Sequence, residues 1–227
     1  MREFDFINRI KKSAGSCHSV IRSIGDDCAI IPYNSDYDML FTCDSLYEGV
    51  HFSKKYFLPW EIGARAMAVN LSDICAMGGV PLYALVSIGF PGREKQAYID
   101  EIYRGITDYA SDYGTDIIGG DTISADKIFL SITVIGRVER TKALRRDRAK
   151  SGDAVFTTGF LGDSFAGLKI LSKKGRRRLK SYECTAVIKH KLPVPSYLEG
   201  RQLLESGCVN ACMDISDGLV NDLTRIC

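Results

Sequence analysis

"ARAMAVNLSDICAM", from Ala64 to Met77, is apolar around almost the whole circumference of a helix. At 3.6 residues per turn, Ala64, Ala66, Met67, Val69, Leu71, Ile74, Cys75 and Met77 leave almost no polar face, so this helix is expected to be buried. Two polar residues break the pattern. Asn70 and Asp73 stand three apart and therefore on the same side. A carboxylate ionised in such a place costs several kcal/mol unless a cation or hydrogen-bond donors compensate it. Capping by neighbouring backbone or pairing with Arg65 would also satisfy Asp73.

Working outward, apolar runs alternate with longer amphipathic stretches, which predicts strands interleaved with helices and an α/β fold. The expected strands are "CAIIPY" (28–33), "YDMLFTCD" (37–44), "LYALVSIGF" (82–90), "TDIIGGD" (115–121) and "KIFLSITVIGRV" (127–138). Helices are expected over 59–79 and 93–114, with Pro59 in a first turn and Gly78 and Gly114 at helix ends. The polar, basic stretch 139–153 marks a domain boundary, giving domains over 1–140 and 150–227. In the second, 154–162 and 209–216 are expected to hold strands and 163–175 and 195–207 helices, with a further helix beginning near the end. So few strands in about 75 residues would bury a poor core, so either elements downstream in a longer chain or an oligomer partner are expected to cover it.

Composition narrows the function. The chain has 227 residues and a net charge of +2, so overall charge steers it neither to nucleic acid nor to a membrane. "KKGRRRLK" (173–180) lacks interleaved aromatics and reads as a solvated loop, so no nucleic-acid partner is expected. No window approaches the length of a membrane span and the first residues lack a signal peptide's apolar core, which predicts a cytoplasmic protein with no membrane partner. The eight cysteines form no CxxC pair and are expected to be buried free thiols.

The acids carry the chemistry. Asp26 and Asp27 in "IGDDCAI" precede a strand, while Asp44, Asp121 and Asp214 are expected to end strands, where ligand sites of α/β sheets gather. In "CMDISDGLVNDL" (212–223), Ser216 or Asp217 could cap the helix that follows, but capping accounts for only one of Asp214 and Asp217. If Asp27, Asp44, Asp73, Asp121, Asp214 and Asp217 converge, all-oxygen ligation selects Mg²⁺. Mg²⁺ so held is usually completed by water and substrate phosphates, which predicts a phosphorylated ligand, most naturally ATP. Glycines in "IGGD" and "TTGFLGDS" would let backbone approach phosphates, and neither a P-loop nor a kinase HRD or DFG set is present.

Together "IGDDCAI", "TCDSLYEGVHF", "AVNLSDICAMGG", "IGGDT", "AKSGDAVFTTGFLGDSFAGL" and "MDISDGLVNDL" resemble the thiamine-monophosphate kinases of the aminoimidazole ribonucleotide synthetase-like superfamily. The resemblance implies a two-domain fold with mixed sheets, an N-terminal domain that pairs with a second copy into a shared barrel, and a C-terminal α/β domain over the nucleotide. It implies direct, Mg²⁺-assisted transfer of the ATP γ-phosphoryl to thiamine monophosphate, with several ions and no phosphoenzyme. Carried over by position, Asp27, Thr42, Cys43, Asp44, Asp73, Asp121, Asp214 and Asp217 resemble the metal shell. Tyr103, Gly120, Asp121, Arg146 and Ser216 resemble ATP contacts, and His51 a substrate contact. Cys43 stands where the family usually has threonine, and a thiol is a poor Mg²⁺ partner, although the ligand there could be a backbone carbonyl. The family pattern continues past "DGLVNDL" with a "GGEDYEL"-like segment that helps hold substrate, so part of that pocket is expected to be missing from a chain ending at Cys227. A sister ATP-dependent enzyme and a non-catalytic nucleotide-binding fragment are the alternatives.

Overall fold

The computed structural model describes residues 3–13, 19–177 and 179–226. Helix α1 (Glu3–Ser13) is followed by strands β1 (Ala29–Pro32) and β2 (Tyr37–Tyr47), helix α2 (Pro59–Ala76), β3 (Val80–Phe90), α3 (Gln96–Asp112), β4 (Asp116–Ser124) and β5 (Phe129–Glu139). A single 3-10 turn, Arg146–Arg148, leads to helices α4 (Asp163–Lys174), α5 (Ser181–Lys191), α6 (Tyr197–Ser206) and α7 (Leu219–Ile226). The five strands form one sheet in the order β1-β2-β5-β3-β4. Only β3 and β4 run parallel, joined by a crossover through α3. The fold is thus mixed α/β, as the alternation of patterns predicts.

Alternation along the strands decides what covers the sheet. Leu40, Thr42 and Leu46 of β2, Ala84, Val86 and Ile88 of β3, and Leu130, Ile132 and Val134 of β5 are buried on the face that α2 packs against. Their odd-numbered neighbours, among them Tyr47, Tyr83 and Leu85, are exposed on the other face, which no element described here covers. Helix α2 itself buries residues on every side, from Ile62 to Ala76. It begins at Pro59, where Glu61 accepts the Leu58 N–H at 2.7 Å, and ends before Gly78, whose φ of 70° suits glycine. It meets α3 at glycine contacts: a Cβ on Gly63 would stand 1.9 Å from the Ile102 carbonyl oxygen, and one on Gly105 2.0 Å from that of Trp60.

Helices α5 and α6 dock on α2, while α4 packs on α5 and α7 on the 3-10 turn. Arg201 of α6 forks onto Glu139 at 2.9 and 2.7 Å and donates to the Gly78 carbonyl at 2.7 Å. From α5, Lys191 forms a buried ion pair with Glu61.

Several expectations need correction. Residues 154–162 and 209–216 form no strand. Extended backbone becomes a strand only where a neighbour accepts its hydrogen bonds, and no such neighbour exists for these segments among the described residues. Val155, Phe156, Phe160 and Leu161 are accordingly exposed. Asp44 and Asp121 do not end their strands: β2 stays paired with β5 through Tyr47↔Phe129, and β4 with β3 through Phe90↔Ser124. Helices α1 and α5 were not expected; α5 buries Glu183, His190 and Lys191, so its inward face does not look apolar in sequence. The cysteines are free but not uniformly buried, since Cys43, Cys184 and Cys208 are exposed. Cys17, Arg178 of the basic run, and Cys227 lie outside the described residues.

Candidate active site

Asn70 and Asp73 pin α2 to β2. Asn70 Oδ1 accepts the Asp44 backbone N–H at 2.8 Å while its Nδ2 donates to the Ala66 carbonyl at 2.9 Å. One turn on, Asp73 accepts a hydrogen bond from the Thr42 hydroxyl. The i, i+3 spacing therefore fixes a strand with one residue and aims a carboxylate with the other. Ser72, beside it, donates to Asp214 Oδ2 at 2.9 Å and draws in the loop before α7.

These contacts bring three distant acids together. Ligand oxygens of Asp27, Asp73 and Asp214 all lie within 4.8 Å of one another. Burial pushes the Asp27 carboxyl up to about 7, against the opposing hydrogen bond from Arg146 and with a further upward push from Asp214. Asp73 and Asp214 are also raised, first by burial; charge from Asp214 adds to Asp73, and charge from Asp44 to both. Hydrogen bonds from Thr42 and Ser72 oppose these shifts without cancelling them. Asp27 Oδ2 is buried with no hydrogen-bond partner. Hard oxygen donors, crowded like charge and an orphaned carboxylate oxygen are what a divalent cation such as Mg²⁺ would satisfy, so these residues fit one.

The cluster opens into a cleft of about 980 Å³. Arg146 reaches it from the 3-10 turn, bonding Asp27 and approaching Asp26 at 3.9 Å. Asp44, His51, Ser216 and Asp217 line the same cleft. Asp44 is exposed along it, yet its carboxyl is raised by the surrounding protein, with His51 opposing and Asp217 reinforcing the shift. His51 Nδ1 accepts the Tyr47 N–H at 3.0 Å, which leaves Nε2 to carry the ring proton. Cys43, between Thr42 and Asp44, projects its thiol to the opposite face of the sheet, 3.5 Å from the Ser131 hydroxyl.

Not every expected site residue is gathered here. Tyr103, Gly120 and Asp121 do not line the cleft. Strand β4 is separated from β2 by β5 and β3, three strand spacings or about 14 Å. Asp121 also pairs in register with Ser87, one of the odd-numbered positions facing away from α2.

The turn after Asp214 works differently from the expectation. Backbone N–H groups of Ser216, Asp217 and Gly218 all donate to Asp222 Oδ2, at 3.0, 3.1 and 3.1 Å. The cap is thus supplied from inside α7, and Asp217 instead pairs with Arg225. Asp222 was missed because it sits within an amphipathic helical pattern. Its one sequence signal is an acid in the first turn of that helix. Ser72 and Arg65, also missed as cleft residues, look in sequence like ordinary interruptions of an apolar helix.

Sheet, buried helix and acid-lined cleft together define a class: residues 25–138 match the family described as AIR synthase related protein, N-terminal domain. Over its full length the chain is 39% identical to the thiamine-monophosphate kinase of Bacillus subtilis (strain 168), covering 70% of that protein. It is 37% identical to that of Aquifex aeolicus (strain VF5), with 99% of this chain and 69% of the relative covered. The structure of AaThiL complexed with AMPPCP and TMP superposes with a TM-score of 0.90 at 35% identity, covering 100% of this chain and 71% of that one. The chain therefore belongs to the thiamine-monophosphate kinase family. No helix of the described residues is long and apolar enough to cross a membrane.

Proposed function

We propose that the protein transfers the γ-phosphoryl group of ATP to thiamine monophosphate, giving thiamine diphosphate and ADP. The observation that carries this reading is the convergence of Asp27, Asp73 and Asp214 in one cleft of a chain from this family. A phosphate oxygen of the acceptor attacks the γ-phosphorus as the bond to the bridging oxygen of ADP breaks, so no side chain needs to become phosphorylated. Such transfer depends on positioning and on neutralising charge. Asp27, Asp73 and Asp214 would hold Mg²⁺, with Asp44 and Asp217 nearby, Thr42 orienting Asp73, and Cys43 contributing through its backbone. An ion held there would supply charge neutralisation for the phosphates. Arg146 and Ser216 would meet ATP, Arg146 through a guanidinium fork suited to phosphate. His51 would donate from Nε2 to the substrate.

Asp121, on the uncovered face of β4, fits this reading through a second copy, with Gly120 beside it on the same strand; Tyr103 stands on α3, and the sheet face gives it no place in the site. Residues on the uncovered sheet face cannot turn towards their own cluster, but a homodimer built on that face would bring the β4 of one copy towards the other. A division into domains over 1–140 and 150–227 belongs to the same proposal. The test is thiamine diphosphate formation from ATP, Mg²⁺ and thiamine monophosphate, with Asp44→Asn as control. Product that needs Asp44 and Mg²⁺ supports the kinase reading; ATP binding without product, or full activity of Asp44→Asn, refutes the stated roles.

A further inference from the structure

Among the described residues, Arg65 is a cleft cation with no carboxylate partner. Arg65 lies on α2 two turns before Asp73, and both line the cleft with Val69 between them. Eight residues of helix separate their Cα atoms by about 12 Å. Arg146 is bonded to Asp27 and Arg225 to Asp217, so each has a carboxylate. Arg65 has none among the described residues. Its Nη1 donates to the His190 carbonyl, and its Nε is buried without a hydrogen-bond partner. A largely buried guanidinium without a counterion is disfavoured, and burial pulls its pKa below the usual arginine value. Leaving such a group beside a cleft makes physical sense where an anion arrives from solution.

The surroundings suit that anion. His190, whose carbonyl holds Arg65, also meets the Ser164 hydroxyl through Nδ1 at 3.2 Å. Ser164 and Lys189 line the cleft as well, so a hydroxyl and an ammonium belong to the same wall. Donor phosphates have a basic group of their own in Arg146, bonded directly to the acid cluster. Arg65 stands along α2 from that cluster, at a distance that leaves room for a second phosphate.

Resting on the kinase reading above, we propose that Arg65 seats the phosphate of the acceptor, with Lys189 and Ser164 as accessory donors. Arg65 is then a binding residue that distinguishes a phosphorylated acceptor from the same molecule without its phosphate.

The test is calorimetric titration of wild type, Arg65→Lys and Arg65→Ala with thiamine monophosphate, thiamine and ATP, alongside steady-state kinetics. The expected result for Arg65→Ala is at least about tenfold weaker binding of thiamine monophosphate and a matching rise in its KM, with ATP and thiamine binding unchanged. Partial recovery by the lysine variant, or by added millimolar guanidinium, belongs to the same expectation. Unchanged acceptor binding overturns the proposal. Equal weakening of ATP and acceptor also overturns it, pointing to Arg65 as a tie between α2 and α5. Should wild type bind ATP but no thiamine monophosphate, the kinase reading fails, and inorganic phosphate becomes the probe. Loss of phosphate binding in Arg65→Ala then supports the anion seat, and unchanged binding removes it.

Discussion

At the scale of single residues, the acid cluster places stability and activity in opposition. Asp27, Asp73 and Asp214 each have a raised carboxyl because they are buried among like charges. Burial pushes the Asp73 carboxyl up to about 9, so in the metal-free fold at pH 8 it is held protonated at a cost that Asp73→Asn removes. The variant should have a raised thermal midpoint at that pH, while phosphoryl transfer falls on the order of a hundredfold. Calorimetric melting and a product assay on the same sample check both halves; a lowered midpoint would mean that the Thr42 bond outweighs that cost. His190 gives the opposite pH dependence. Burial first, then Arg65 and Lys191, hold its pKa down at about 4 against an ordinary 6.5. The folded state therefore prefers the neutral ring, and its stabilisation is present above pH 6.5 and lost as pH falls towards 4. Phe57, Ser164, Arg65 and Lys191 surround that ring, and none offers a carboxylate to stabilise the imidazolium. His190→Gln should flatten this part of the stability profile between pH 6.5 and 4, as read by urea unfolding at several pH values.

At the scale of elements, packing through glycines sets how closely helices approach. Gly105→Ala would place a methyl group on the Trp60 carbonyl, forcing α3 from α2 and costing about 1–3 kcal/mol in chemical denaturation. A cost near zero would show that the pair can slide apart. Gly200, whose Cβ would stand 2.1 Å from the Cys75 carbonyl oxygen, makes the same kind of contact for α6. The loop carrying Asp214 and Asp217 depends on one side chain. Asp222→Ala leaves three backbone N–H groups without their acceptor, and should weaken Mg²⁺-dependent ATP binding by about tenfold while the sheet keeps its fold. Unchanged ATP affinity would show that water serves the turn equally well. Five strands and the long helices were legible from periodicity alone. The segments at 154–162 and 209–216 had the residues of strands but lacked neighbours, and α5 hid its inward face because Glu183, His190 and Lys191 flank Ala186 and Val187 on it.

At the scale of the whole molecule, the uncovered sheet face presents apolar side chains to solvent. Tyr83 and Leu85 on β3, with Ile118 and Ile123 on β4, are exposed apolar side chains. If a second copy covers them, Leu85→Arg should convert dimer to monomer in equilibrium sedimentation and reduce activity while leaving the melting transition cooperative. A wild type that sediments as a monomer at micromolar concentration would remove the second copy from the proposed site.

The sequence by itself determined the order of the five strands with α2 and α3 between them, the burial of α2 and most of the acids that line the cleft, because periodicity and isolated charge are local properties. It also carried the motifs that mark the family. Only the tertiary structure decided that Asp27, Asp73 and Asp214 meet while Asp121 faces away, since strand order and the face a side chain takes follow from pairing between distant segments. The same holds for Arg65, whose lack of a carboxylate depends on every neighbour that folding brings to it.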